Sequence, residues 1–235
     1  MSNTQAEKLP GNTKTKVLLL CGMLAGPLFT ISWFVQGLTR PHYNPMRHAI
    51  SSLSVGESGW VQIVTFVVTG ALILLFSVEL WSVLRRPSGS LWGPLLVSLL
   101  GVGLIGAGVF VTDPLNGYPP GSPLIPVERT PQGILHDLFG IPFFLGLPIA
   151  CFVFGRFFSR RGERNWMRFS QISGSGMFAV FFAARLGLRL LPIYPDLAAN
   201  FGLFQRITVT IGLAWLTLLA VYMMQAPSKV AQIEW

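Results

Sequence analysis

The sequence predicts an all-α membrane protein, a six-helix transmembrane bundle with both termini cytoplasmic. Three observations carry this. Of the 235 residues, 51% are hydrophobic and 11% charged, against about 25% charged in soluble domains. The apolar residues form six long unbroken runs, not the alternating segments of roughly ten residues that build membrane barrels. The basic residues are unevenly shared between the two sets of linkers, which fixes an orientation.

In chain order, Met1–Lys16 is a polar tail, expected to be disordered. The apolar runs cover about 17–38, 59–84, 91–112, 134–158, 166–186 and 203–224. Each is close to or above the roughly 20 residues that cross a hydrocarbon core. Residues 17–224 therefore read as one transmembrane domain and 225–235 as a second cytoplasmic tail. Val17–Leu38 exceeds a signal-peptide core of about 7–15 residues and lacks a small-residue cleavage site, so it reads as a retained first span.

One side collects Lys8, Lys14, Lys16, Arg85, Arg86, Arg156, Arg160, Arg161, Arg164, Arg168 and Lys229, which is 11 cations. The other collects Arg40, Arg47, Arg129, Arg185, Arg189 and Arg206, which is 6. The first side is therefore cytoplasmic, and loops 39–58, 113–133 and 187–202 face outward from a plasma membrane. Topology explains the net charge of +8, and soluble nucleic-acid binding is excluded. The arginine cluster 156–168 is chiefly a topology signal, with attraction to anionic lipid as a secondary effect.

Small residues predict how the spans touch. Gly22 and Gly26, and the series Ser175, Ala179, Ala183 and Gly187, let backbones approach in lipid and are expected to pack inside the bundle. Pro27, Pro142 and Pro148 are expected to kink their spans. Trp33, Trp60, Trp81, Trp92 and Trp166 fit an interfacial belt. Glu79 is placed to reach Arg85 or Arg86. Cys21 and Cys151 lie inside apolar runs, which gives no disulfide framework.

The most polar stretch is Arg40–Ser54. Asn44 and Pro45 read as a helix cap and first helical residue. From there Arg47, His48, Ser51 and Ser52 share one face, with Ile50 and Leu53 turned the other way, until Gly56 and Gly59 end the helix. Loop 113–133 carries six prolines and is expected to be stiff and extended. The topology then brings Arg47, His48, Ser51, Asp113, His136, Asp137, Arg185 and Arg206 to one depth. Ionisable residues at a membrane edge are candidate site residues because leaving them unpaired is expensive.

Three readings of that set are open. In one it binds, senses or transports a membrane lipid, an anionic lipid headgroup or a small polar solute, with Arg47, Arg185 and Arg206 as the anion clamp. In another, His48, Asp113 and His136 are metal ligands and catalytic residues of a lipid hydrolase. Zn²⁺ would then activate water, supported by Ser51 or Ser52. No local His-Glu-x-x-His spacing supports that, and no cofactor is otherwise expected. In the third the residues only satisfy one another, Asp113 pairing with Arg206 and His48 with Asp113 or Asp137. A binding role is favoured over an enzymatic one. An ATPase and a di-haem carrier are excluded, for want of a phosphate loop and of paired intrahelical histidines.

The strings Tyr43-Asn-Pro-Met-Arg-His-Ala-Ile-Ser-Ser-Leu-Ser54 and Gly59-Trp-Val-Gln62 resemble the signature of a prokaryotic membrane family known as domain of unknown function 998. Phe110-Val-Thr-Asp-Pro114, Gly133-Ile-Leu-His136 and Gly202-Leu-Phe-Gln-Arg206 fit the same pattern. The resemblance covers nearly all of the chain after its tail. It implies six spans and carries no chemistry with it.

Overall fold

In lipid an apolar run has no hydrogen-bond partner but its own backbone, so each run closes into a helix. The structure, a computed structural model, describes residues 13–84, 91–124, 128–189 and 200–225. Residues 1–12 and 226–235 of the expected tails and most of loop 187–202 lie outside these residues, as do Arg85 and Arg86, whereas Thr13–Lys16, expected in the disordered tail, form the first turn of the first helix. The helices are α1 (Thr13–Thr39), α2 (Gly59–Leu84), α3 (Trp92–Val109), α4 (Pro131–Ile141), α5 (Leu147–Arg160), α6 (Arg164–Arg189) and α7 (Phe201–Gln225). A π-helical turn, Pro142–Gly146, joins α4 to α5.

Successive helices are neighbours, and α7 returns against α1 to close the ring. Phe76, Leu100, Leu147, Phe154, Met177, Leu213 and Trp215 fill its centre with almost no exposure. Among the described residues, five stretches are long and apolar enough to cross a membrane: α1, α2, α3, the continuous Pro131–Arg160 and α7. Helix α6 forms as expected and is as long as its neighbours. It carries Arg168, Ser170, Gln171, Ser173 and Ser175 in its first half and does not reach the same apolarity.

Gly22 and Gly26 pack inside the bundle as expected. A Cβ on the first would press into Phe76 and Ala220, and one on the second into the α7 backbone at Leu213. The α6 series does not: Ser175, Ala179 and Ala183 are exposed on the bundle surface. One position is about 100° on a helix, and the face that packs is Ser170, Ser173, Gly174, Met177 and Ala184. The tryptophan belt also divides. Trp60 and Trp92 are exposed, at 64% and 65%, but Trp81 donates to Ser98 Oγ (3.0 Å) and Trp166 packs 4.8 Å from the Tyr222 ring.

The short helix expected from Pro45 is a single turn instead. Asn44 Oδ1 accepts from Met46 N–H (3.0 Å) and the Asn44 carbonyl from His48 N–H (2.7 Å), after which the chain reopens and a 3-10 turn covers Ile50–Ser54. The cause is tertiary. The carbonyls of residues 45–48, which a continuing helix would need as acceptors, all accept from α7.

Candidate functional site

The chemistry gathers where the long loops 40–58 and 110–130 meet the helix ends, hereafter the loop end. Arg206, one turn into α7, is 6% exposed. Its Nη1 donates to the carbonyls of Pro45, His48 (2.8 Å) and Gly202 (3.0 Å), and its Nη2 to the Tyr43 hydroxyl. The guanidinium carbon sits 5.2 Å from the Trp33 ring centre and 5.5 Å from that of Tyr43, a cation–π cage. No carboxylate pairs with Arg206 among the described residues. Its Nε–H and the Trp33 indole N–H are buried and find no partner among the described residues.

The same loop caps α7. Gly202 N–H donates to the Arg47 carbonyl (3.2 Å) and Leu203 N–H to that of Met46 (2.9 Å), while Ile50 N–H donates to Gln205 Oε1 (2.6 Å). Two of the donors that a helix start leaves open are thus satisfied from the loop. Only glycine fits at 202, since a Cβ there would overlap the His48 carbonyl oxygen.

His48 is buried between the Tyr43 and Tyr118 rings, 5.4 and 5.2 Å away. Asn44 N–H donates to its Nδ1 (2.9 Å), so that nitrogen carries no proton. Burial, then the charge of Arg47, pushes the imidazole below its ordinary value against a hydrogen bond to the Asn116 backbone. Tyr43 donates to the Ala49 carbonyl (2.8 Å), and burial pushes its phenol up to about 12 although Arg206 pulls the other way.

Asp113 forms a separate cluster. Thr130 caps α4, its hydroxyl accepting from Gly133 N–H (3.0 Å) with Pro131 as the first helical residue. Asp113 sits over that cap and accepts from Thr130 N–H (3.3 Å), from the Thr130 hydroxyl and from Arg129 Nε (2.9 Å). Burial opposes its ionisation, but the bonds from Thr130 and Arg129 outweigh it and hold the carboxyl below its ordinary range. Arg129 also reaches Asp137 (2.8 Å). The partner of Asp113 is therefore Arg129, and neither the Asp113–Arg206 pair nor a His48–aspartate pair forms.

His136 lies between the clusters. Its Nδ1 is 2.9 Å from the Ala107 carbonyl and 2.8 Å from that of Phe110. Two acceptors require a proton on Nδ1, so the ring caps the end of α3. His136 also lines a cleft of about 50 Å³ within the bundle, with Ile50, Phe66, Leu104, Phe139, Phe143, Phe144 and Val209 around it and Ser51 and Gln205 as its other polar side chains. The π-helical turn supplies Phe143 and Phe144 to that wall, in keeping with the frequent use of π turns at functional sites.

Of the expected set, then, His136 and Ser51 share the cleft, His48 and Arg206 share the network that ties loop 40–58 to α7 (the loop lock), and Asp113 and Asp137 share Arg129. Arg47 is half-buried beside the lock. Arg185 is exposed and rests 5.9 Å over the Phe181 ring, apart from all three groups. Among the described residues no three His, Cys, Asp or Glu side chains stand together as a metal would need. Sequence reasoning passed over Tyr43, Gln205, Arg129 and Thr130. The Thr130-Pro131 pair is a helix-start signal, and Tyr43 and Gln205 stand in the strings that carry the family resemblance, though nothing in those strings gives either a role.

A family model described as a protein of unknown function (DUF998) matches residues 23–222. No curated protein and no solved structure matches the chain.

Proposed function

The chain belongs to the DUF998 family, and from that premise we propose that it binds, senses or moves a membrane lipid, or a small ligand with an apolar part, in the cleft beside His136. The observation that carries this reading is the chemistry of the cleft. Its walls come from α1, α2, α3, α4, the π turn and α7, and are aromatic and aliphatic but for His136, Ser51 and Gln205. An apolar cavity with a few convergent polar groups suits part of an amphipathic guest; at about 50 Å³ the cleft takes the end of an acyl chain or a group of a few heavy atoms, with the rest of the guest outside it. With His136 Nδ1 bound to α3, Nε2 is the ring nitrogen left to meet a ligand. Gln205, its Oε1 held by Ile50 N–H, keeps an amide donor.

A binding role has more support than hydrolysis. Asp113, His48 and His136 already serve backbone groups or Arg129, and each holds a helix end or a loop. In this reading α6 is the sixth span. It packs between α5 and α7, and its 26 residues extend about 39 Å, enough to accompany them across a bilayer. The distribution of basic residues supports cytoplasmic termini, a loop end facing outward and a plasma-membrane location.

The test is native mass spectrometry of the purified chain beside Val209→Trp, which fills the cleft. Loss of a co-purifying lipid or small molecule, with an unchanged thermal midpoint, is expected. An unchanged mass pattern sinks the reading, and zinc bound one-to-one and lost in His136→Ala would replace it with the hydrolase.

A further inference from the structure

At the end of the bundle away from the loops, the α5–α6 hairpin carries two parallel stripes. On α5, Arg160, Arg156 and Phe152 follow at four-residue steps and are all exposed. On α6, Arg164, Arg168, Gln171, Ser175, Phe178 and Phe182 follow at steps of four and three, exposed except for the half-buried Phe178. Such spacing keeps each series on one helix face.

The antiparallel register aligns them. A Cβ on Gly155 would lie 3.3 Å from Gln171 Cγ and 3.6 Å from the Met167 carbonyl, which sets Arg156 across from Arg168. Further in, one turn along α5 from Arg156 and nearly three along α6 from Arg168, the Phe152 and Phe178 rings stack across the hairpin with centroids 6.3 Å apart and planes 17° apart, and Phe178 continues onto Phe182 at 6.0 Å. Both stripes run in the same sense, from guanidinium to aromatic ring, and α6 places an amide (Gln171) and a hydroxyl (Ser175) in between. The ten residues from Arg168 to Phe178 span about 15 Å.

Among the described residues the charge of the stripes is uncompensated, as Arg156, Arg160, Arg164 and Arg168 form no ion pair. The nearby Glu163 is held by Arg161 (3.3 Å) and by the Tyr222 hydroxyl. A phosphodiester headgroup, an ester-linked glycerol and acyl chains follow one another in the same order as these side chains, and a headgroup of net negative charge complements the arginines better than a zwitterionic one, whose own cation offsets its phosphate.

We propose that this face binds one anionic phospholipid. Arg156 and Arg168 hold its phosphate, Gln171 meets the glycerol region, and the acyl chains lie along Phe152 and Phe178. The site is at the opposite end from the cleft beside His136 and does not depend on it.

The test titrates the full chain in detergent with phosphatidylglycerol or phosphatidylcholine and counts retained lipid by native mass spectrometry. Wild type is expected to hold phosphatidylglycerol preferentially. Arg156→Gln/Arg168→Gln should weaken that retention by roughly 20- to 30-fold, since each arginine near an anionic headgroup is worth about fivefold. Lys14→Gln/Lys16→Gln, which removes the same charge elsewhere, should stay within about twofold. Equal retention of both lipids by wild type, or equal loss in the two double variants, overturns the site. Should the glutamine variant fail to fold, Arg156→Lys/Arg168→Lys keeps the charge and removes the forks. Phosphatidylglycerol retention is then expected to drop severalfold, and undiminished retention overturns the proposal.

Discussion

The guanidinium of Arg206 lies 5.2 Å from the centre of the Trp33 ring, joining the start of the last helix to the far part of the first, while its nitrogens hold the loop between α1 and α2. A buried cation with no carboxylate partner among the described residues depends on carbonyl dipoles and aromatic faces instead of a counter-ion. Arg206→Ala should therefore leave buried carbonyls without donors and destabilise the protein by about 3 kcal/mol. Arg206→Lys should recover little, since an ammonium cannot fork between Tyr43 and three carbonyls. Thermal unfolding in detergent with both variants checks this, and full recovery by lysine would show that charge alone matters.

At the loop end, Gly133 and Gly202 are fixed by close approach. Gly133→Ala drives a methyl into the Asp113 carboxylate and Gly202→Ala into the His48 carbonyl, so each should cost about 2 kcal/mol or more. Gly140→Ala is the comparison, because its nearest neighbour would be Phe144 at 3.8 Å. It should be neutral, or more stable by up to about 1 kcal/mol from helix propensity. The order of the three melting temperatures is the measurement.

His48 should make the loop acid-sensitive. Its folded pKa lies below the ordinary 6.5, so the unfolded chain takes up a proton at a higher pH than the folded one. The stability from the neutral ring is complete above about 6.5 and falls as pH drops through the window beneath it. Protonating Nδ1 would also evict the Asn44 N–H. Thermal midpoints measured from pH 7.5 to 5 should decline in wild type and stay flatter in His48→Gln. Parallel curves would remove His48 from the effect.

Asp113 governs a lower range. Its carboxyl is held below the ordinary 3.8, so its stabilising contribution is present above that value and is lost as pH falls through the folded pKa. Asp113→Asn should cost about 1–2 kcal/mol at neutral pH, a modest figure because Arg129 is 44% exposed and solvent screens the pair. The variant should also lack the wild-type loss of stability below about pH 4. Thr130→Ala, which removes both the helix cap and an Asp113 donor, should cost about 1 kcal/mol or slightly more.

Much of the architecture could be read before any contact was known. Long apolar runs place helices because lipid offers the backbone no alternative partner, whereas the helix start at Thr130-Pro131, local though its signal is, falls inside loop 113–133, expected to be extended. The spacing of Gly22 and Gly26 locates a close helix contact. The same reasoning misplaced Ser175, Ala179 and Ala183, since a stripe shows that backbones could approach there without showing which neighbour arrives. It paired Asp113 with the wrong arginine for a related reason: depth in a membrane orders residues along one axis and says nothing about their position around the ring.

The long helices, their order and the concentration of polar groups at the loop end follow from local pattern, because each depends on neighbours within a few residues. Tertiary structure alone decided how those groups were divided. Arg206 and the start of α7 draw off the carbonyls of residues 45–48, so a stretch with helical spacing becomes one turn and a loop. Asp113 goes to the α4 cap, and His136 turns one nitrogen to α3 beside the cleft. Each outcome is a competition for hydrogen-bond partners between segments up to 161 residues apart, and no local pattern encodes who wins it.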